Sequence, residues 1–169
     1  MLTPAQLSAV KADILANPDL NAFPNNTDGA FAIAGLYNLQ ASPDFWVWRT
    51  YVTKSEIVNN VGPNATTFNW VANGFHTRSV ADQTMWRELF GASDSVNPAL
   101  ANVRWAFTYI FSGTGIAANN LAHILDLSKR KATRIEQVLS NGTGSLGSPA
   151  TMEFEGVISY PDVDAARNS

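Results

Sequence analysis

The sequence predicts a mainly α protein: a helical bundle ending in a long helix, then a flexible hinge and a single extended β-strand arm. Three observations carry that prediction. Helix start signals and 3.6-residue apolar spacing recur from residue 3 to residue 140. The chain turns Gly/Ser-rich between Gly142 and Pro149. Beyond it, Met152, Phe154, Ile158 and Tyr160 alternate with Glu153, Glu155, Val157 and Ser159, the period of a strand with one apolar face. The expected division is a helical domain, 1–141, and a C-terminal arm, 142–169.

The first helix opens at Thr3-Pro4 with Gln6 three residues after the cap, and Asn17-Pro18 stops it. A second spans about Asp28 to Gln40 and ends at Ser42-Pro43. Phe45 to Arg49 is too aromatic for a solvated loop and reads as a buried extended connector. Thr53-Lys54-Ser55-Glu56 is another capping box, opening a short helix that Gly62-Pro63 ends. A fourth helix spans about Ser79 to Phe90. A fifth follows Asn97-Pro98 and carries Val103, Phe107 and Ile110 inward until Gly113 and Gly115. The last, about Ile116 to Ser140, has one apolar stripe from Leu121 to Leu139. Gly142, Gly144 and Gly147 then form the hinge. A lone strand leaves its backbone groups unpaired. Two solutions are open: pairing with residues 45–52, or addition to another molecule, which the flexible leader favours.

Charged residues are 15% of the chain, against ~25% in an ordinary soluble domain, and sixteen Asn supply polarity instead. There is no Cys, which excludes disulfides, thiolate metal sites and a cysteine nucleophile. A net charge of −3 argues against a general nucleic-acid binder. No apolar run reaches the ~18 residues of a membrane span, so no membrane partner is expected. The opening Met-Leu-Thr-Pro-Ala-Gln shows no secretory signal, so a cytoplasmic site of synthesis is expected.

Motifs that could carry chemistry fail on context. Gly142 to Gly147 spells GxGxxG, but a helix precedes it and a strand follows, the reverse of a dinucleotide site. Ser128 to Lys131 spells SxxK without its partner motifs. His123 and Asp126 lie one turn apart, and His76 is the other histidine, too few ligands for zinc. No catalytic residue, cofactor or metal is therefore expected. Lys129, Arg130, Lys131 and Arg134 form a local basic patch in an acidic chain. It suits a helix C-terminus, or contact with DNA or an acidic partner. Met152, Phe154, Ile158 and Tyr160 are the expected intersubunit face of the arm.

Two blocks carry a resemblance. One is Ser42-Pro43-Asp44-Phe45-Trp46-Val47-Trp48-Arg49-Thr50 with Val52-Thr53. The other runs from Lys131-Ala132-Thr133-Arg134 through Gly142-Thr143-Gly144 to Ser148-Pro149-Ala150-Thr151-Met152-Glu153-Phe154-Glu155-Gly156. Together they resemble small structural proteins of tailed bacteriophages and prophages. The layout also resembles head-to-tail adaptor (connector) proteins. That resemblance implies a virion protein at the head–tail junction, in a homo-oligomeric ring of twelve beneath the portal. Its partners would be its own copies, the portal, the next neck or tail protein, and channel DNA. A neck, tail-completion or capsid decoration protein is the structural alternative. A small phage hydrolase or a DNA-binding regulator is the alternative of another class.

Overall fold

The computed structural model describes residues 1–70 and 74–169, and the chain is mainly α, about 52% helical. In order, its elements are α1 (Pro4–Ala16), α2 (Pro18–Asn21), α3 (Thr27–Tyr37), β1 (Trp46–Trp48), β2 (Val52–Thr53) and α4 (Lys54–Asn59). There follow α5 (Val80–Phe90), β3 (Ser95–Val96), α6 (Ala101–Ile110), α7 (Ile116–Leu127) and β4 (Lys129–Lys131). The chain closes with α8 (Arg134–Val138), β5 (Ser140–Asn141), β6 (Thr151–Met152) and α9 (Tyr160–Asn168). Two compact units result. Unit one joins Met1–Val47 to Lys131–Ser169, and unit two is the intervening Trp48–Arg130. This replaces the expected boundary at 141/142.

Unit one is built on the reciprocal Thr3/Gln6 capping box that starts α1. Asn17 ends α1 and caps α2, its side chain accepting from the N–H groups of Asp19 and Leu20. The core gathers Val10, Ile14, Leu20, Ile33 and Tyr37 from the N-terminal helices with Ile135, Leu139, Ile158, Val163 and Ala166 from the other end of the chain.

Unit two is sequence-contiguous, and its core is aromatic. Trp86 lies among Phe68, Phe75, Phe90, Phe107 and Phe111 at centroid distances of 4.7–6.1 Å. Val52, Ile57, Val103, Ile110 and Ile124 complete it. β2 pairs antiparallel with β3, Val52 opposite Val96 and Thr53 opposite Ser95. The Thr53/Glu56 capping box starts α4 as expected.

Two sequence expectations need correction. The single helix over 116–140 is instead α7, an extended β4 and α8. Thr133 and Glu136 form a reciprocal capping box, a fresh helix start that the continuous apolar stripe obscures. The arm over 142–169 is no arm: most of it is integral to unit one. Thr151–Met152 is its named strand, paired with β5. Beyond it the backbone is held by side chains. Asn38 donates from Nδ2 to the Ile158 carbonyl and accepts the Ile158 N–H at Oδ1, both at 2.9 Å. The buried Glu136 carboxylate accepts the Gly156 N–H at 3.2 Å, and the Leu139 carbonyl accepts the Glu153 N–H at 2.8 Å. The apparent orphan strand is thus held within unit one, by β5 at Thr151–Met152 and by these contacts beyond it. α9 then begins at a Ser159/Asp162 capping box with Pro161 in its first turn. Arg167 on α9 donates to the Phe23 and Pro24 carbonyls, and Asp162 accepts the Leu2 N–H, which ties the C-terminal segment to the N-terminal one.

Candidate functional site

The basic cluster does not form one helical face. Lys129, Arg130 and Lys131 lie in β4, and Arg134 is the first residue of α8. Lys129, Lys131 and Arg134 each have an acidic neighbour. Lys129 Nζ lies 4.0 Å from Asp126, Lys131 Nζ 2.7 Å from Asp44, and Arg134 Nη2 3.1 Å from Asp13. Lys131 also lies over Trp46, and Arg134 over Tyr37. These three cations are paired within the chain, so the cluster is not the free basic patch that the sequence suggests.

The expected hinge is a closed loop. Gly144 is buried and has φ +64°, and a Cβ there would fall 2.1 Å from the Phe45 ring. Gly142 sits against Ala150, whereas a Cβ on Gly147 would meet nothing. Thr143 Oγ1 donates to the Ser148 carbonyl, and Ser145 Oγ accepts the Ser148 N–H, both at 3.0 Å. The Trp46 N–H donates to the Gly144 carbonyl at 2.7 Å, and the Ala150 N–H to the Trp46 carbonyl at 2.9 Å. Val47 bridges Ala150 in parallel. The 45–52 connector is therefore the partner of this segment, at Trp46 and Val47. Ala132 donates its N–H to the Phe45 carbonyl as well. The two blocks that carry the phage resemblance meet here and form one stitch closing unit one.

Of the expected arm face, Ile158 is buried in the unit-one core and Phe154 packs against it half-buried. Met152 packs on the small cluster of Val47, Ala132 and Ala150. Tyr160 alone stays exposed, beside Phe31 at 6.2 Å. An intersubunit face made of these four residues is excluded by their own packing.

A polar cluster that sequence spacing did not assemble lies under α7. His123 is fully buried, and its Nε2 is 2.7 Å from the Ile57 carbonyl. A carbonyl can only accept, so Nε2 carries the proton. Nδ1 lies 2.9 Å from Thr66 Oγ1, and Thr66 Oγ1 lies 3.3 Å from Asp126 Oδ2. His123 and Asp126 thus meet through Thr66 rather than by the direct contact that their spacing suggests. Asp126 also accepts from the Asn64 backbone N–H and side-chain amide, at 3.0 and 2.6 Å. One turn earlier, Asn120 is buried and pairs both ways with the Asn69 backbone, at 2.8 and 3.0 Å. A Cβ on Gly62 would strike Thr66 Oγ1 at 2.2 Å, so a side chain there is excluded. The arrangement holds residues 57–69 in place by giving their backbone groups partners. Thr66, Asn69 and Asn120 also line a pocket of about 290 Å³.

Other chemical candidates are consumed structurally. Ser128 is buried and donates to the Ile124 carbonyl at 2.7 Å, so SxxK offers no nucleophile. Among the described residues there is no group of three His, Cys, Asp or Glu suited to a metal. None of their helices is long and apolar enough to cross a membrane.

Among the exposed apolar surfaces of the described residues, two stand out. On α6, Trp105 and Tyr109 are 62% and 52% exposed and stack on each other at 5.4 Å. In unit one, a groove of about 760 Å³ has the exposed Leu36 and Leu39 in its lining, with Asp13 and Asp19. No protein-family model, curated protein or solved structure matches this chain.

Proposed function

We propose that this chain is a non-enzymatic structural protein of a tailed-phage virion, assembling through its own copies as a head-to-tail adaptor at the neck. The observation that carries the reading is how its groups are spent. Polar side chains with chemical potential are engaged in holding irregular backbone, while uncharged aromatic surface is left open. Proteins rarely expose such surface without a partner. The resemblance of the two blocks supplies the phage context, and their meeting in one stitch makes it a resemblance of scaffold. The portal and the next neck or tail component are the proposed outer partners. The test is to quantify this chain in purified particles and to locate it by labelling. Ring-like stoichiometry at the neck supports the assignment; absence from finished particles overturns it.

A second reading, a small hydrolase, is favoured by one contact. His123 Nδ1 lies 2.9 Å from the Thr66 hydroxyl, within reach for general-base activation beside a pocket. Turnover of acyl-ester substrates that is abolished in both Thr66→Val and His123→Gln proteins, each still folded, would favour it over the structural one.

A further inference from the structure

The geometry points to a head-to-tail contact between copies of this chain, in which the α6 stripe of one copy seats in the unit-one groove of the next. It rests on the assembly reading above and assigns the surfaces that reading leaves open.

The stripe comes from α6 itself. Ala101, Trp105, Thr108 and Tyr109 are all exposed on one side of the helix. Their spacing of three and four residues places them on a common face, and none of the four is charged. Val103, Phe107 and Ile110 take the opposite side into the core. Trp and Tyr are the side chains most enriched at the centres of protein interfaces, because one rigid ring buries much area with little loss of freedom. Among the described residues both rings stay exposed.

The groove offers the complementary surface. Leu36 and Leu39 are 38% and 60% exposed, and Val138 adds to the lining. Asp13, paired with Arg134, and Asp19 stand beside them, which leaves one carboxylate in excess. At about 760 Å³ the groove is ample for an indole.

Charge selects which surfaces meet. Unit one holds nine carboxylates against four cations, a net of −5, and unit two holds seven cations against five carboxylates, a net of +2. Two copies approaching through like units repel, whereas unlike units attract. A contact between unlike surfaces is heterologous. It leaves each copy with one free stripe and one free groove, so it propagates until a ring closes.

Sedimentation velocity on the full-length chain tests this, with Trp105→Asp as the stripe variant and Leu39→Asp as the groove variant. Both positions are exposed, so circular dichroism should stay that of the parent protein. The parent chain should self-associate with increasing concentration, less so at high salt. Each variant alone should weaken association by roughly tenfold or more, the loss expected of an anchor residue. An equimolar mixture of the two should form a one-to-one dimer and stop there, because it retains one intact stripe–groove pair. Tyr109→Asp and Leu36→Asp provide independent variants of each surface. A parent chain that stays monomeric, variants that associate like the parent, or a mixture that stays monomeric would each overturn the contact. These measurements use purified protein alone. A monomer in solution from a chain abundant at the neck would thus sink the contact and leave the virion assignment standing.

Discussion

The two units solve the same problem with different material. Unit two draws its core from one continuous stretch and fills it with aromatic rings around Trp86. Unit one draws an aliphatic core from both ends of the chain. Yet each holds a length of irregular backbone with a single amide: Asn38 clasps Ile158 in unit one, and Asn120 clasps Asn69 in unit two. An Asn side chain presents one acceptor and two donors, so it can stand in for a neighbouring strand. An Asn-rich, charge-poor chain can therefore build compact units with few extended ladders.

Deleting residues 143–169 should separate the units most sharply. It removes Ile158, Val163 and Ala166 from the unit-one core, and burying each of the two larger side chains is worth ~1.5–3 kcal/mol. Against a typical total of ~5–15 kcal/mol, unit one should not stay folded, while the Trp86 environment in unit two persists. Far-UV circular dichroism and tryptophan emission would read the two outcomes separately. A truncated protein with an unchanged spectrum and midpoint would restore the detachable arm.

Asn38→Ala and Asn120→Ala should each cost about 2–4 kcal/mol, since each strands a backbone N–H and a carbonyl. Hydrogen exchange would report the loss at the Ile158 amide in one variant and at the Asn69 amide in the other. Fast exchange spreading equally through both units in either variant would mean that the units do not respond separately.

The two units should also part company in alkali. Burial, a hydrogen bond from its hydroxyl to Asp13 and the Asp13 charge raise the Tyr37 phenol above its ordinary range. Below the ordinary phenol pKa of ~10 the folded and unfolded states are both protonated there, and its contribution is intact. As pH rises beyond that, the unfolded state loses its proton first, so unit one loses stability. Tyr37→Phe should flatten that loss. In acid both units should weaken. Burial raises Glu56 in unit two, but the Thr53 N–H and Arg49 outweigh it and leave the carboxyl below its usual range. Burial likewise raises Asp162 in unit one, and the Ser159 side chain and N–H, with the Leu2 N–H, reverse it. Stability held by both carboxylates is present above the ordinary carboxylate pKa and falls as pH drops through their lowered values. Identical alkaline midpoints for the parent and Tyr37→Phe proteins would remove this distinction.

The smallest effect belongs to the cations. Lys131→Gln removes a pairing with Asp44 in which both side chains are more than a third exposed, and should cost no more than ~0.5 kcal/mol. Arg134→Gln should cost more, because its partner Asp13 also accepts from the buried Tyr37 hydroxyl. Equal losses in thermal unfolding would argue against that ranking.

Local signals were the legible ones. The Thr3/Gln6 and Thr53/Glu56 capping boxes, the stop at Asn17-Pro18 and the breaks at Gly113 and Gly115 act within a few residues. Misreadings came where two local signals compete. Ser159-Tyr160-Pro161-Asp162 is a helix start, but the apolar alternation from Met152 to Tyr160 reads as a strand running through it. Thr133 and Glu136 restart a helix within an apolar stripe that reads as uninterrupted. The Asn38–Ile158 clasp and the His123–Thr66–Asp126 cluster join residues tens to more than a hundred positions apart. In one sequence, nothing separates those Asn and Thr residues from solvated ones.

The insertion of unit two within unit one imposes an order of completion during synthesis. When Arg130 has cleared the ribosome, every residue of unit two is available, whereas unit one has only its first 47. Unit one must wait for Ile158, Val163 and Ala166, which follow unit two in the chain. A nascent or prematurely ended chain can thus own the α6 stripe without a finished groove. Under the proposed contact such a chain could cap an assembly but could not extend it, so the residues after Arg130 would license propagation.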